Sequence, residues 1–169
     1  MQHSSRFRRA IRHEFFGARQ VRARLPDASM LAIEAAIAVG EARHSAEIRF
    51  VVEASLDLQQ IWSGTQPRER ALLVFSNLRV WDTEANNGIL LYVLMADRSV
   101  EVVADRAVAR RIAQSSWDAV CQQMAQAYRG GDFLNGTLAA IAQLHELVEP
   151  HFPSGRENLD ELPNRPLII

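Results

Sequence analysis

The chain has 169 residues and a mass of 19.0 kDa, which predicts a single domain whose core needs no disulfide bonds. With 48% hydrophobic and 23% charged residues and a net charge of −1, the composition is that of a globular protein and excludes disordered and collagen-like chains. The single cysteine, Cys121, excludes an internal disulfide framework and a zinc site built from several cysteines.

The positive charge is concentrated at the N-terminus. All 19 basic residues are arginine, and seven of them lie within the first 25 residues beside a single acid, Glu14. This segment therefore has a charge of +6, whereas the rest, with 12 arginines and 19 acids, has a charge of −7. We expect a basic arm or helix over residues 1–26 that contacts an anionic membrane surface or a membrane protein. We expect no nucleic-acid partner, because the pI of about 6.5 is not basic and no binding motif occurs.

Apolar residues recur within this arm at near-helical spacing, at Phe7, Ile11, Phe15 and Phe16. One interpretation is a basic amphipathic helix that lies on a membrane. The alternative is a helix that packs its Phe side chains on the domain and exposes its arginines to solvent. Neither a secretory signal nor a run of 18 apolar residues is visible, so we expect a cytoplasmic protein, with peripheral attachment to the inner membrane left open.

The elements that follow alternate between helix and strand. In chain order, the patterns predict a helix over residues 27–43, a strand over 47–54, a helix over 67–80, a hairpin over 89–96 and 99–104 with Asp97 and Arg98 at its turn, and two helices after Trp117. Strand 47–54 is largely apolar on both faces and is therefore expected at the centre of the sheet. A proline-rich tail follows, either flexible or docked at its end.

This order predicts an α/β fold: a three-layer α/β/α sandwich with a small mixed sheet of three to four strands and helices on both faces. The predicted organisation is a basic arm over residues 1–26, the α/β domain over 27–153 and a flexible tail over 154–169. The histidines form no cluster in the sequence. His44 stands alone, and His145 and His151 are six residues apart, so we expect surface or capping positions for them.

An oxygen-rich segment precedes the hairpin and is the candidate metal site. Asp82, Glu84 and Asn86 alternate at every second position, and hard cations take such oxygen ligands from a curling loop. Asp105 ends the third predicted strand, close to the start of its hairpin partner, and Asp132 begins the last helix. These five residues predict a weak site for Ca²⁺ or another divalent cation. The alternative is that the Asn-Asn-Gly sequence forms only a turn.

Several stretches occur in an order and spacing that are specific when taken together. They are His44-Ser45-Ala46-Glu47-Ile48-Arg49, Asn86-Asn87-Gly88-Ile89-Leu90-Leu91, Asp97-Arg98-Ser99-Val100-Glu101-Val102, Trp117, Tyr128-Arg129-Gly130-Gly131-Asp132-Phe133 and Gly136. In these stretches the chain resembles the TPM-domain family, the thylakoid-lumen acid-phosphatase-like family with many bacterial members, over about residues 28–152.

This resemblance implies a compact α/β/α sandwich that takes divalent cations, notably Ca²⁺, at an acidic end of its sheet. The matching positions are Asp82 and Asp105, while Glu84 and Asp132 are added from the residue pattern alone. Plant members have been assigned acid phosphatase activity, and other members act at membranes. The chain lacks the family's usual Gly-x-Gly after the hairpin, its signal peptide and its C-terminal membrane span, and so resembles the shorter, soluble bacterial branch.

Two functions follow as hypotheses. The first is a non-enzymatic binding or accessory protein of the cell envelope, since the sequence carries no nucleophile motif and no phosphate-binding loop. The second is a metal-dependent phosphomonoesterase in which Asp82 and Asp105 hold the cation and Arg106 or Arg129 neutralises phosphate. The first is favoured, because each site feature also has an ordinary structural explanation.

Overall fold

The computed structural model describes residues 2–155 and 160–169 and shows an open four-stranded mixed sheet with helices on both faces. The strands are β1 (Glu47–Glu53), β2 (Gly88–Leu94), β3 (Ser99–Ala104) and β4 (Leu167–Ile168). The helices are α1 (Gln2–Glu14), α2 (Ala18–Arg24), α3 (Asp27–Glu41), α4 (Leu58–Ser63), α5 (Pro67–Asn77), α6 (Arg106–Ala109), α7 (Gln114–Arg129) and α8 (Phe133–Val148). The predicted α/β fold with a small mixed sheet is confirmed.

The sheet has the order β3-β2-β1-β4 and is built around one parallel pair. β1 runs parallel to β2 over seven residues, from Glu47 opposite Gly88 to Glu53 opposite Leu94. β3 returns antiparallel to β2, as the hairpin sequence predicts. α4 and α5 form the crossover from β1 to β2, which a parallel connection requires.

Because strand side chains alternate between the two faces, the sheet separates two apolar cores. Ile48, Phe50 and Val52 of β1 face the core that α2, α3, α7 and α8 share, and all three are fully buried. Val51 faces a smaller core with Ile61 of α4 and the side chains of α5. Each such side chain contributes on the order of 1.5–3 kcal/mol on burial, so both faces of β1 stabilise the fold, as its two-sided apolar pattern predicts.

A buried polar group joins α5 to the centre of the sheet. The Arg70 guanidinium forms a bidentate pair with the Glu53 carboxylate, with Nε 2.8 Å from Oε2 and Nη2 2.9 Å from Oε1. The Tyr92 hydroxyl donates to the same Oε2 at 2.6 Å. Burial raises the pKa of Tyr92, with the Glu53 hydrogen bond adding to the effect, so the phenol stays a donor. A carboxylate inside the smaller core is therefore fully paired.

The N-terminal segment is bound to the β2–β3 turn by its charges. The Asp97 carboxylate accepts from Arg9 Nη2 at 2.6 Å and from His13 Nε2 at 3.0 Å, and it also pairs with Arg12. His13 Nδ1 accepts the Leu56 N–H, so Nε2 carries the proton. Burial tends to raise the pKa of Asp97, but the hydrogen bonds from His13 and Arg9 and their charges hold it well below its usual range.

α1 exposes the side chains of Phe7 and Ile11, contrary to the predicted alternative in which the apolar side chains of the arm pack on the domain. Phe7, Ile11 and Phe15 are 59%, 44% and 75% exposed, whereas Arg9 is largely covered. The alternative of a helix that packs its Phe side chains on the domain and exposes its arginines is therefore wrong for Phe7, Phe15 and Arg9. The inward-facing side chains are instead those that reach Asp97 and α4. Phe16, just beyond α1, is partly buried against the larger core.

The end of the C-terminal tail docks on the sheet, which was one of the two predicted outcomes. β4 pairs in parallel with β1, through Val51 opposite Leu167 and Val52 opposite Ile168. The Ile169 N–H donates to the Val52 carbonyl at 2.9 Å, and the Arg49 side chain donates to the backbone of the tail. Within the described parts of the chain, no helix is both long and apolar enough to cross a membrane.

We expect Gly88→Ala to lower the free energy of unfolding by about 1–3 kcal/mol, because a Cβ there would overlap the backbone carbonyl oxygen of Val80. Urea denaturation of the two forms measures the difference. Gly155→Ala is the matched control, since a Cβ at that position meets no atom within 4 Å. Equal stabilities of the two variants would contradict the prediction.

Candidate functional site

Three strand ends and their flanking loops meet at one edge of the sheet, which we call the acidic edge. β1 and β2 begin there with Glu47 and Gly88, and β3 ends there just before Asp105. The Asp105 N–H donates to the Gly88 carbonyl at 2.9 Å, and the Glu47 N–H to the Asn87 carbonyl at 3.3 Å. The strand register therefore places the Glu47 and Asp105 backbones on either side of Gly88.

A carboxylate cluster lies at this edge, formed by Glu41, Glu47 and Asp160. One oxygen from each residue lies within 4.8 Å of the other two. Glu41 closes α3, Glu47 opens β1, and Asp160 belongs to the tail. The two glutamates are 7% and 2% exposed, whereas Asp160 is exposed. The cluster is therefore open on the side that Asp160 occupies.

Backbone hydrogen bonds hold the two glutamates in place. The Ile48 N–H donates to Glu41 Oε1 at 2.7 Å, and the Leu162 N–H donates to Glu47 Oε2 at 3.2 Å. The Asn164 side chain also hydrogen-bonds Glu41. β1, α3 and the tail thus all contribute to the position of the cluster.

Burial raises the pKa values of both glutamates above the ordinary value of a glutamate. The pKa of Glu41 is raised to about 8, chiefly by burial and also by the charges of Glu47 and Asp160, against the opposing hydrogen bond from Ile48. Burial likewise raises the pKa of Glu47 to about 7, with Asp160 and Glu161 adding negative charge nearby. Near neutral pH the cluster therefore holds protons that a cation would replace.

The geometry of the cluster fits a hard divalent cation. Calcium binds oxygen ligands at about 2.3–2.6 Å, so two ligand oxygens of one ion lie no more than roughly 5 Å apart. The three carboxylate oxygens satisfy this limit. An ion there would also offset the mutual repulsion that raises the pKa values of Glu41 and Glu47.

The structure brings two of the five predicted ligands into one network at the acidic edge. Asn86 Oδ1 accepts from Arg106 Nη2 at 3.2 Å, and Asp105 Oδ1 accepts the Arg106 N–H at 2.6 Å. Asp105 is 7% exposed, and its Oδ2 is buried with no hydrogen-bond partner within the described residues. Asp82 and Glu84 lie exposed in the same loop, where the Glu84 N–H donates to the Glu161 carboxylate at 3.0 Å. Their role as ligands stays a prediction.

The fifth predicted ligand, Asp132, lies elsewhere. Its neighbours Gly131 and Phe133 line a cavity with Met95 and Ala96, which follow the far end of β2. The reason is the length of α7, whose 16 residues span about 24 Å, as much as a seven-residue strand. The α7–α8 turn therefore comes at the edge opposite Asp105, and the expectation that these two acids meet is corrected.

The cluster itself was not predicted, although part of its signal is visible in the sequence. Glu47 opens a strand that is largely apolar on both faces, and a carboxylate on a twice-covered strand needs a partner. Asp160 lies 113 residues after it, in the tail that we expected to be either flexible or docked at its end. Only the docking of that tail brings Asp160 to the edge.

The histidine prediction is corrected for His44 and His145, whereas His151 is exposed as expected. His44 and His145 are 0% and 2% exposed, and His44 Nε2 lies 2.6 Å from His145 Nδ1. Burial lowers the pKa of His145 to about 4, with the charges of His44 and Arg43 acting in the same direction. Burial also lowers the pKa of His44. The two rings are therefore a neutral structural pair between α3 and α8 rather than surface residues.

Comparison with known proteins agrees with this architecture. The family model for the TPM domain matches residues 22–147. The chain belongs to the TPM-domain family. A similar solved structure is the NMR structure of the BA42 protein from the psychrophilic bacterium Bizionia argentinensis, with 26% sequence identity and a TM-score of 0.76. The match covers 86% of this TPM-domain chain and 95% of BA42. No curated protein matches.

The raised pKa values of Glu41 and Glu47 give the stability of this TPM domain a defined pH dependence. Glu41 and Glu47 have folded-state pKa values above the ordinary 4.5, so their stabilisation is complete below that pH and is lost as pH rises to about 8. The lowered pKa values of His44 and His145 act in the opposite sense, but only below the ordinary 6.5. Without divalent cations, we therefore expect the free energy of unfolding to fall by about 2 kcal/mol between pH 6.5 and 8.5.

Urea denaturation in the presence of a chelator measures this slope. Glu41→Gln, which keeps an acceptor for the Ile48 N–H, should flatten it. Glu146→Gln, at an exposed position of α8, should leave it unchanged. A slope that survives in Glu41→Gln would show that the cluster does not cause it.

Proposed function

We propose that this TPM-domain protein is a non-enzymatic accessory protein of the cell envelope that binds a divalent cation at the acidic edge. The observation that carries the proposal is the convergence of Glu41, Glu47 and Asp160 within 4.8 Å, two of them buried. Ca²⁺ suits these ligands best, because it accepts carboxylate oxygens in flexible geometry. Cation binding would fix the tail to the sheet through Asp160.

Cys121 supports a non-enzymatic role. Burial raises the pKa of this thiol to about 12, so it is not a thiolate at neutral pH. Its side chain packs with the larger core instead. The buried Tyr92, Glu53 and Arg70 group is likewise committed to structure.

The second part of the proposal concerns α1 and an anionic membrane surface. Phe7 and Ile11 of α1 and Phe15, just beyond its end, recur every four residues and are exposed, and we call the surface they form the aromatic face. Arg8 on the same helix is exposed, and Trp62 of the neighbouring α4 is 46% exposed. Apolar rings beside arginines match a bilayer interface, where the rings enter the headgroup layer and the cations meet anionic lipid. This contact would place the protein at the inner membrane as a peripheral component.

The alternative is a metal-dependent acid phosphatase. It rests on the buried Oδ2 of Asp105, which has no hydrogen-bond partner in the part of the chain that the structure describes, and on the exposed Arg106 beside it. Arg129, the other candidate for phosphate neutralisation, lines the cavity at the opposite edge and so cannot act with Asp105. Cation-dependent turnover of a phosphomonoester that Asp105→Asn abolishes would establish this alternative and overturn the non-enzymatic proposal.

Calorimetric titration with Ca²⁺ tests the metal site. We expect saturable binding whose affinity rises from pH 6 to pH 8, because the ion displaces protons from Glu41 and Glu47. Glu47→Gln should weaken binding by roughly tenfold or more, since it removes a charged ligand but keeps an acceptor for Leu162. Asp132→Asn, at the far edge, is the matched control and should bind as the parent does. Equal affinities in Glu47→Gln and the parent would reject the cluster as the site.

Co-sedimentation with vesicles tests the membrane contact. We expect binding to phosphatidylcholine vesicles only when they contain phosphatidylglycerol, with loss at high salt because the attraction is screened. The double variant Phe7→Ser and Phe15→Ser should lose binding. The control pair is Leu31→Ser and Val39→Ser, two exposed apolar residues of α3 at 65% and 71%. Similar losses in both pairs would point to general surface hydrophobicity instead.

A further inference from the structure

A second site lies at the edge of the sheet opposite the carboxylate cluster. A cavity of about 330 Å³ opens beside Met95 and Ala96, just after the carboxyl end of β2. We call it the arginine cleft, and its principal lining residues are Arg12, Phe16, Arg24, Arg98, Arg129 and Phe133. Every charged residue that lines it is an arginine. In sheets with parallel strands, ligands bind preferentially in crevices at the carboxyl ends.

The wall of the cleft is flat and aromatic. The Arg24 guanidinium carbon lies 4.9 Å from the ring centroid of Phe16 and 5.6 Å from that of Phe133. Arg24 Nη1 donates to the Gln20 carbonyl at 2.9 Å, which fixes the orientation of this stack. Tyr128 meets Phe133 edge to face, with centroids 4.9 Å apart. These surfaces suit a planar ring in stacked or edge contact.

Two arginines of the cleft, Arg98 and Arg129, have no side-chain partner among the described residues. Arg12 is paired with Asp97, but Arg98 and Arg129 form neither a hydrogen bond nor an ion pair through their side chains within residues 2–155 and 160–169. Arg98 occupies the hairpin turn with φ of +54°, a backbone conformation uncommon outside glycine. Strained turns of this kind cluster at binding sites. The N-terminus of α8, which begins at Phe133, adds positive potential to the same place.

We propose that the arginine cleft binds a small anion that carries an aromatic ring, of the class of a nucleoside monophosphate. The phosphate would sit between the guanidiniums of Arg98 and Arg129, which match its geometry, and the ring would lie against Phe133. A volume of about 330 Å³ is at the lower end of the range for small-molecule sites and favours a monomeric ligand over a polymer. The proposal is independent of the metal site, which lies at the other edge.

Titration with AMP in the presence of a chelator, followed by calorimetry and by amide NMR shifts, tests the proposal. We expect saturable binding, with shifted amides at Arg98, Arg129 and Phe133. Inorganic phosphate and adenosine, titrated separately, should each bind at least roughly tenfold more weakly than AMP, because each fills only half of the site. Equal affinity for phosphate and AMP would overturn the aromatic part of the proposal.

Variants distinguish specific binding in the arginine cleft from general attraction of an anion to exposed arginines. Arg129→Gln and Arg98→Asn, the latter chosen because Asn tolerates a positive φ, should each weaken AMP binding by roughly tenfold or more. Phe133→Leu should weaken AMP binding and leave phosphate binding unchanged. Arg110→Gln is the matched control, since Arg110 is exposed beside α6 near the opposite edge. Absence of saturable AMP binding, or equal losses in Arg129→Gln and Arg110→Gln, would overturn the proposal.

Discussion

The burial of the β1–β2 pair on both faces is the constraint on which the rest of this structure depends. β2 is buried along its whole length, and in β1 only Arg49 is partly exposed. A polar side chain on these strands must therefore find a partner inside the protein or lie at a strand end. Glu53 meets this requirement through Arg70 and Tyr92, and Glu47 through its position at the start of β1. The polar chemistry of the molecule is consequently displaced to the two edges.

The polarity of the parallel strands gives these edges opposite character. Carboxylates collect where β1 and β2 begin, and arginines collect just beyond the end of β2. The net charge of −1 hides this division, because the excess positive charge of the first 25 residues nearly cancels the negative charge of the rest. A domain with almost no net charge can thus carry a cluster of carboxylates and a cluster of arginines about one strand length apart, which are the two sites proposed above.

Local patterns predicted the parts of the fold that depend on neighbours in sequence. The two-sided apolar strand, the hairpin and the helix after Pro67 all follow from spacing within about ten residues. The features that were missed depend on partners far away in the chain. His44 and His145 are 101 residues apart, and the side chains of α1 that turn inward do so because Asp97 lies more than 80 residues later. No periodicity in a single sequence encodes such pairs, so the convergence of Asp160 on Glu41 and Glu47 could not be predicted, although Glu47 alone signals a need for a partner.

The docked tail has a consequence for the solubility of the protein. β1 would be an edge strand without it, and an uncovered, apolar edge is a template for pairing with another chain. β4 covers only two positions, and the Arg49 side chain holds the preceding segment by donating to the Arg165 carbonyl at 2.6 Å. Protection against self-association therefore rests on the last ten residues, which also carry Asp160. Proteolytic removal of these ten residues would therefore remove both Asp160 from the cluster and β4 from the side of β1 that it covers.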